Sequence, residues 1–192
     1  MLFLLFIQGT VIGKLFCMEE FFSPDDIRAL MVRGESDRQR VILFLLYNYG
    51  LTIEEALELK AGQFMVKPDY VRFNFTRKQT GKAHTYKIQF DNYRLFYRVL
   101  NKLQAHEPLL HKDKNLPISD AMVKKDLFDL AVTMNRKITP GQLFDSHLYW
   151  LFRRGVSFAQ AVEEYGIALS GKPFKVWESA MIAGRLWPFL LE

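Results

Sequence analysis

At 192 residues, 49% hydrophobic and 24% charged, the chain is long enough for one full core and reads as a single domain. A single cysteine, Cys17, excludes an internal disulfide framework or a cysteine-rich zinc site, and His84, His106, His111 and His147 show no ligand spacing, so no metal or other cofactor is expected. The net charge of +5 is unevenly spread: residues 19 to 58 hold nine acidic and four basic side chains and residues 60 to 114 hold four acidic and twelve basic ones, which suggests a polyanion-facing surface.

The chain opens with MLFLLFIQGTVIGKLFC. This run lacks a basic leader and a small-residue cleavage site, is broken by Gln8, Gly9 and Thr10, and is too short to span a bilayer. Residues 1–20 are expected to form a packed or partner-covered helix, the alternative being an extension from a misjudged start upstream of Met18. Ser23-Pro24-Asp25-Asp26 predicts a helix start with an N-cap, a first-position proline and carboxylates in the positive first turn. That helix runs to about Arg33. A second begins near Asp37 and carries Val41-Ile42-Leu43-Phe44-Leu45-Leu46, apolar on nearly every side, so it belongs at the domain centre.

After Gly50, Thr52-Ile53-Glu54-Glu55 predicts a capping box and a short helix. The period then changes to two over 70–77 and 84–90, with a turn near Gln79-Thr80-Gly81, which predicts a β-hairpin. Arg72, Arg77, Lys78, Lys82 and Lys87 are expected on its basic face. Helices follow over 92–104, from Ser119, and near 173–183.

Between them, Ile138 to Gly166 reads as two consecutive helices. Thr139, Pro140 and Gln142 start the first, which Gly155 closes; Ser157 and Gln160 start the second, which Gly166 ends. The expected fold is mainly α with a small antiparallel β-hairpin or sheet at one side.

In the order of these parts, residues 20 to 180 resemble the catalytic domain of the tyrosine recombinase (phage integrase) family. Its members typically begin with a segment like FFSPDDIRAL and continue with an apolar helix ending in a Gly-Leu-Arg turn followed by a Glu. A lysine-bearing hairpin, a helix opening with His-x-x-Arg, a Gly-terminated helix followed by His or Trp, and a nucleophilic Tyr come after. Here Leu46 to Glu55 is similar to the first turn, and the pattern lies on Thr139 to Ile167 without a gap. The resemblance implies an integrase-catalytic-like domain over 21–184 and an apolar tail over 185–192.

Laid on this chain, the family pattern meets departures. Thr52 stands at the first arginine, Gly141 at the His and Phe144 at the Arg of His-x-x-Arg, and Ile167 at the later His or Trp. The nucleophile position falls on Val176 or, with a one-residue shift, Trp177. Glu55 matches the acidic position, and Lys78 or Lys82 matches the hairpin lysine. A guanidinium can donate twice to a phosphate and keeps its charge, which Thr52 and Phe144 cannot do. Loss of one preorganised donor costs ~10²–10³ in rate, so the sequence predicts no strand cleavage and no enzyme.

What remains is an expected grip on double-stranded DNA, with Arg72, Arg77, Lys78, Lys82, Arg153 and Arg154 as phosphate contacts. The expected role is that of a regulator or accessory factor of a phage or other mobile element, in the cytoplasm of a bacterial or archaeal cell or of a virus's host. A divergent active recombinase or nuclease and a protein-interaction module without DNA affinity are the alternatives. Leu186, Trp187, Phe189 and Leu190 are expected either to dock on a second copy or another protein, or to pack on their own domain. No membrane contact is expected.

Overall fold

The computed structural model describes residues 20–112 and 116–186. The expectations for residues 1–19 and for the tail from Trp187 onward, with Phe189 and Leu190, lie outside the described residues.

The first helix, α1 (Pro24–Arg33), starts at a capping box in which Ser23 Oγ accepts from the Asp26 amide and the Asp26 carboxylate accepts from the Ser23 amide. Helix α2 (Asp37–Asn48) is capped in the same way by Ser36 and Gln39. Seven consecutive residues, Val41 to Tyr47, are buried in α2. Its central position follows from the absence of any polar stripe there. Thr52 and Glu55 form the box of α3 (Ile53–Glu58).

A short 3₁₀ turn (Ala61–Gln63) then leads into a sheet in the order β1-β2-β3. Strands β2 (Tyr70–Thr76) and β3 (Ala83–Gln89) form the expected hairpin, with Phe73 opposite Tyr86 and Asn74 opposite Thr85. Strand β1 (Phe64–Val66) pairs antiparallel with β2 and was not expected. Three residues are too few for an alternating pattern to register in the sequence.

Helices α4 (Asp91–Leu100), α5 (Asp120–Met134), α6 (Pro140–Arg153), α7 (Phe158–Tyr165) and α8 (Lys172–Leu186) complete the described chain. Thr139 caps α6 by accepting from the Gln142 amide, but the return half of the expected box is absent. The Thr139 hydroxyl is instead hydrogen-bonded to the Gln142 side chain at 3.1 Å. Ser157 and Gln160 form a complete box on α7, and Gly166 closes that helix at φ 63°.

Two apolar clusters result. The larger surrounds α2 and includes Leu30, Leu45, Phe73, Phe96, Leu127 and Leu143. The smaller holds Leu148, Tyr149, Phe152, Ala161, Tyr165, Ile167, Val176 and Ala180. Helix α6 contributes to both, Leu143 to the first and Leu148 onward to the second. Phe22 packs in the larger cluster while its neighbour Phe21 stacks on Tyr149 at 4.4 Å in the smaller. The Phe22 backbone is held by the Ser146 hydroxyl and by the Trp150 indole N–H, at 2.9 and 2.8 Å.

Candidate nucleic-acid interface

Five of the positions picked from the sequence, Thr52, Glu55, Gly141, Phe144 and Ile167, come together around one cavity of about 380 Å³. They arrive from the α2–α3 turn, the first turn of α3, the first turns of α6 and the end of α7. Gly50, Leu51, Ile53, Arg77, Gln79, Pro140, Tyr165, Gly166 and Ala168 complete the walls. Val176 is buried, and Trp177 packs against Phe158 and Phe174; neither lines the cavity.

The floor of this cavity is organised by Glu55. One carboxylate oxygen accepts from the Thr52 amide at 2.9 Å, and the other accepts from the Lys78 amide at 3.1 Å. Arg77 Nη1 approaches Glu55 at 3.4 Å and donates to the Gly50 carbonyl at 2.9 Å, while Nη2 donates to the Tyr49 carbonyl at 2.5 Å. The guanidinium also lies over the Tyr165 ring, 4.2 Å from its centroid, and 5.3 Å from that of Phe75. Arg77 is 3% exposed, so its expected place on the DNA-facing surface is corrected. It is a buried strap between β2 and the end of α2.

The sequence carried the signal for this. Val71, Phe73 and Phe75 are buried while Asn74, Thr76 and Lys78 are exposed, and a period of two puts residue 77 on the inner face. Assigning Arg72 and Arg77 to one basic face broke that parity.

His147 and Tyr165 form a pair that no local sequence pattern marks. His147 Nδ1 lies 2.7 Å from the Tyr47 carbonyl and Nε2 lies 2.8 Å from the Tyr165 hydroxyl. A carbonyl only accepts, so Nδ1 carries the proton and Nε2 accepts from the phenol. Burial holds the imidazole far below its ordinary value, at about 3, and pushes the Tyr165 phenol up. Both groups are therefore neutral at pH 7. Gly50 makes room for this arrangement: at φ 57° it is a position where a Cβ would meet His147 Cδ2 at 2.5 Å.

Arg77 is the cation among the described residues that line the cavity; the other cations picked from the sequence stand outside its walls. Lys78 pairs with Glu58 at 2.5 Å and with Glu54 at 3.8 Å, and these carboxylates raise its pKa. Lys82 pairs with Glu163 at 2.5 Å, and His84 Nδ1 lies 3.0 Å from Glu164. Arg72 is half-buried, 3.7 Å from Met65 sulfur. Arg154 is exposed at the close of α6, and Arg153 beside it is half-buried, near Gly184. Lys82, tied to the last turn of α7, and Arg154, before its first turn, thus mark opposite ends of that helix. Among the described residues no group of three His, Cys, Asp or Glu could hold a metal, and no helix is long and apolar enough to cross a membrane.

No family model and no curated protein matches the chain. Solved structures do. A XerA recombinase is 16% identical over 84% of this chain and 62% of its own, with a TM-score of 0.63. XerH site-specific recombinase in a post-cleavage complex with a palindromic difH substrate is 15% identical over 88% of this chain and 53% of its own, with a TM-score of 0.65. The Tn1549 transposon integrase in complex with circular intermediate DNA is 14% identical over 84% of this chain and 63% of its own, at 0.56. The chain thus spans from about half to just under two thirds of these proteins' lengths.

The likeness corrects the expectation that the chain is no enzyme, since a recombinase that has cleaved its DNA shares this fold. Arg77, Glu55 and Tyr165 stand in the wall of the cavity. By fold, this chain is a tyrosine-recombinase-like domain, mainly helical with a small antiparallel sheet.

Proposed function

We propose that this domain binds duplex DNA and serves a phage or other mobile element as a regulator or accessory factor of recombination, acting in the cytoplasm. The observation that carries the reading is a set of cations, Arg72, Lys78, Lys82, Arg153 and Arg154, on a fold shared with proteins solved on DNA. Backbone phosphates are the ligand suited to such a set, because the contacts need charge and reach but no base-specific geometry. Electrophoretic mobility at two salt concentrations tests it. Binding that weakens steeply with salt supports the proposal; no shift, or one indifferent to salt, removes it.

The C-terminal residues Leu186, Trp187, Phe189 and Leu190 would give a second grip by joining two copies, which multiplies contacts through effective concentration. Gel filtration of a chain truncated after Gly184 decides this. An unchanged size sinks the docking between copies, and a protein partner would then be sought for the same segment.

A second reading, strand cleavage by the domain itself, is favoured by the fold shared with a post-cleavage complex and by Tyr165, the one tyrosine among the described residues that line the cavity. Attack would form a bond from the Tyr165 oxygen to phosphorus as the phenol gives up the proton now directed at His147, and would break the bond to the 5′ oxygen, which leaves as a hydroxyl on taking a proton. A nicked suicide substrate should then trap a covalent adduct that disappears in Tyr165→Phe. If no adduct forms, this reading is abandoned.

A further inference from the structure

The tip of the β2–β3 hairpin does not stand free in solution. Its two lysines and the histidine that follows are each met by a carboxylate: Lys78 by Glu58 and Glu54 of α3, Lys82 by Glu163 and His84 by Glu164 of α7. The backbone joins in, with the Lys78 amide donated to Glu55. Gln79 lies against Gly166 so closely that a Cβ there would meet its side chain at 3.0 Å. Tip and cavity are therefore closed together, since Gln79 is one wall of the cavity and α3 and α7 supply others.

A carboxylate oxygen and a phosphate oxygen present the same chemistry to an ammonium group: a localised negative acceptor. The proposed DNA surface is thus already occupied by the protein's own acids. We infer that Glu54, Glu58, Glu163 and Glu164 latch the hairpin tip in the free protein, and that duplex DNA binds by replacing these carboxylates with backbone phosphates. This rests on the DNA-binding reading above. The lowered pKa of Glu163 beside Lys82 and the raised pKa of Lys78 beside Glu58 agree with the pairing. Because the lysine pairs are exposed, each restrains the tip by only about 2- to 5-fold, while His84 and Glu164 meet at a half-buried site; the latch is therefore releasable.

The test compares Glu58→Gln/Glu163→Gln with a control that removes the same charge from exposed acids outside the latch, Glu35→Gln/Glu178→Gln. Affinity for a non-specific 20-base-pair duplex is read together with hydrogen exchange at the Gly81 amide, which donates to the Arg77 carbonyl at 2.8 Å within the tip. The latch variant should bind up to about 4- to 25-fold tighter than wild type, well beyond the control, and its Gly81 amide should exchange faster without DNA. An equal rise in both variants would mean long-range charge alone and overturns the exchange mechanism. So does an unchanged affinity in the latch variant. If no form binds DNA, the DNA reading itself falls, and the Gly81 exchange rate still decides whether a latch exists.

Discussion

Arg77 and Glu55 are both almost fully buried, at 3% and 3% exposure, and every other feature of the cavity floor leans on them. Removing one partner of a buried pair strands the other's charge, whereas the intact pair is close to neutral in net stability. Arg77→Met is expected to destabilise the domain by about 3–5 kcal/mol, read from urea unfolding, because the Gly50 and Tyr49 carbonyls lose their donor as well. His147 makes a different prediction. Its ordinary pKa is 6.5 and the fold holds it at about 3, so below pH 6.5 the unfolded chain takes up a proton that the folded chain refuses. The stabilisation is complete above about pH 6.5 and is lost as pH falls toward 3, at about 1.4 kcal/mol per pH unit. His147→Gln can still donate to Tyr47 and accept from Tyr165 while not titrating. Its stability should be flatter over that window, measured by denaturant unfolding at pH 4, 5 and 6.

Elements are where the sequence was most readable. The caps at Ser23, Thr52 and Ser157 were visible because each joins a hydroxyl to a carboxylate or amide three residues on, a purely local device. Thr52→Ala should therefore cost about 1 kcal/mol, with α3 fraying first in amide exchange. What escaped was non-local. Strand β1 exists only because β2 lies beside it, and the pairing of His147 with Tyr165 joins α6 to α7 across 18 residues of sequence. The candidate site was half legible: the positions that line the cavity could be laid out from the family pattern, but Arg77 was placed outside when the strand's own parity puts it inside. The acids that meet Lys78 and Lys82 come from α3 and α7, and no spacing rule links a hairpin tip to either.

For the whole molecule, the charge division seen along the sequence becomes a division of labour at one surface. Acids from the first third of the chain, Glu54 and Glu58, face a lysine of the basic middle third. The slope of log affinity against log salt should fall by about 0.9 for every phosphate contact removed. Alanine at Lys78, Lys82 and Arg154 together should therefore flatten the slope by up to about 3, and an unchanged slope would take these residues out of the interface.

Helix α6 has a further consequence for how the domain comes apart. Because Leu143 sits in one apolar cluster and Leu148 in the other, with Ser146 and His147 between them bonded to Phe22 and Tyr47, neither cluster can melt without unwinding a helix that the other needs. Heat should thus unfold the domain in one step, with calorimetric and van't Hoff enthalpies equal. Ser146→Gly, which removes the hydroxyl that holds Phe22 and loosens the helix at its midpoint, should separate that single transition into two.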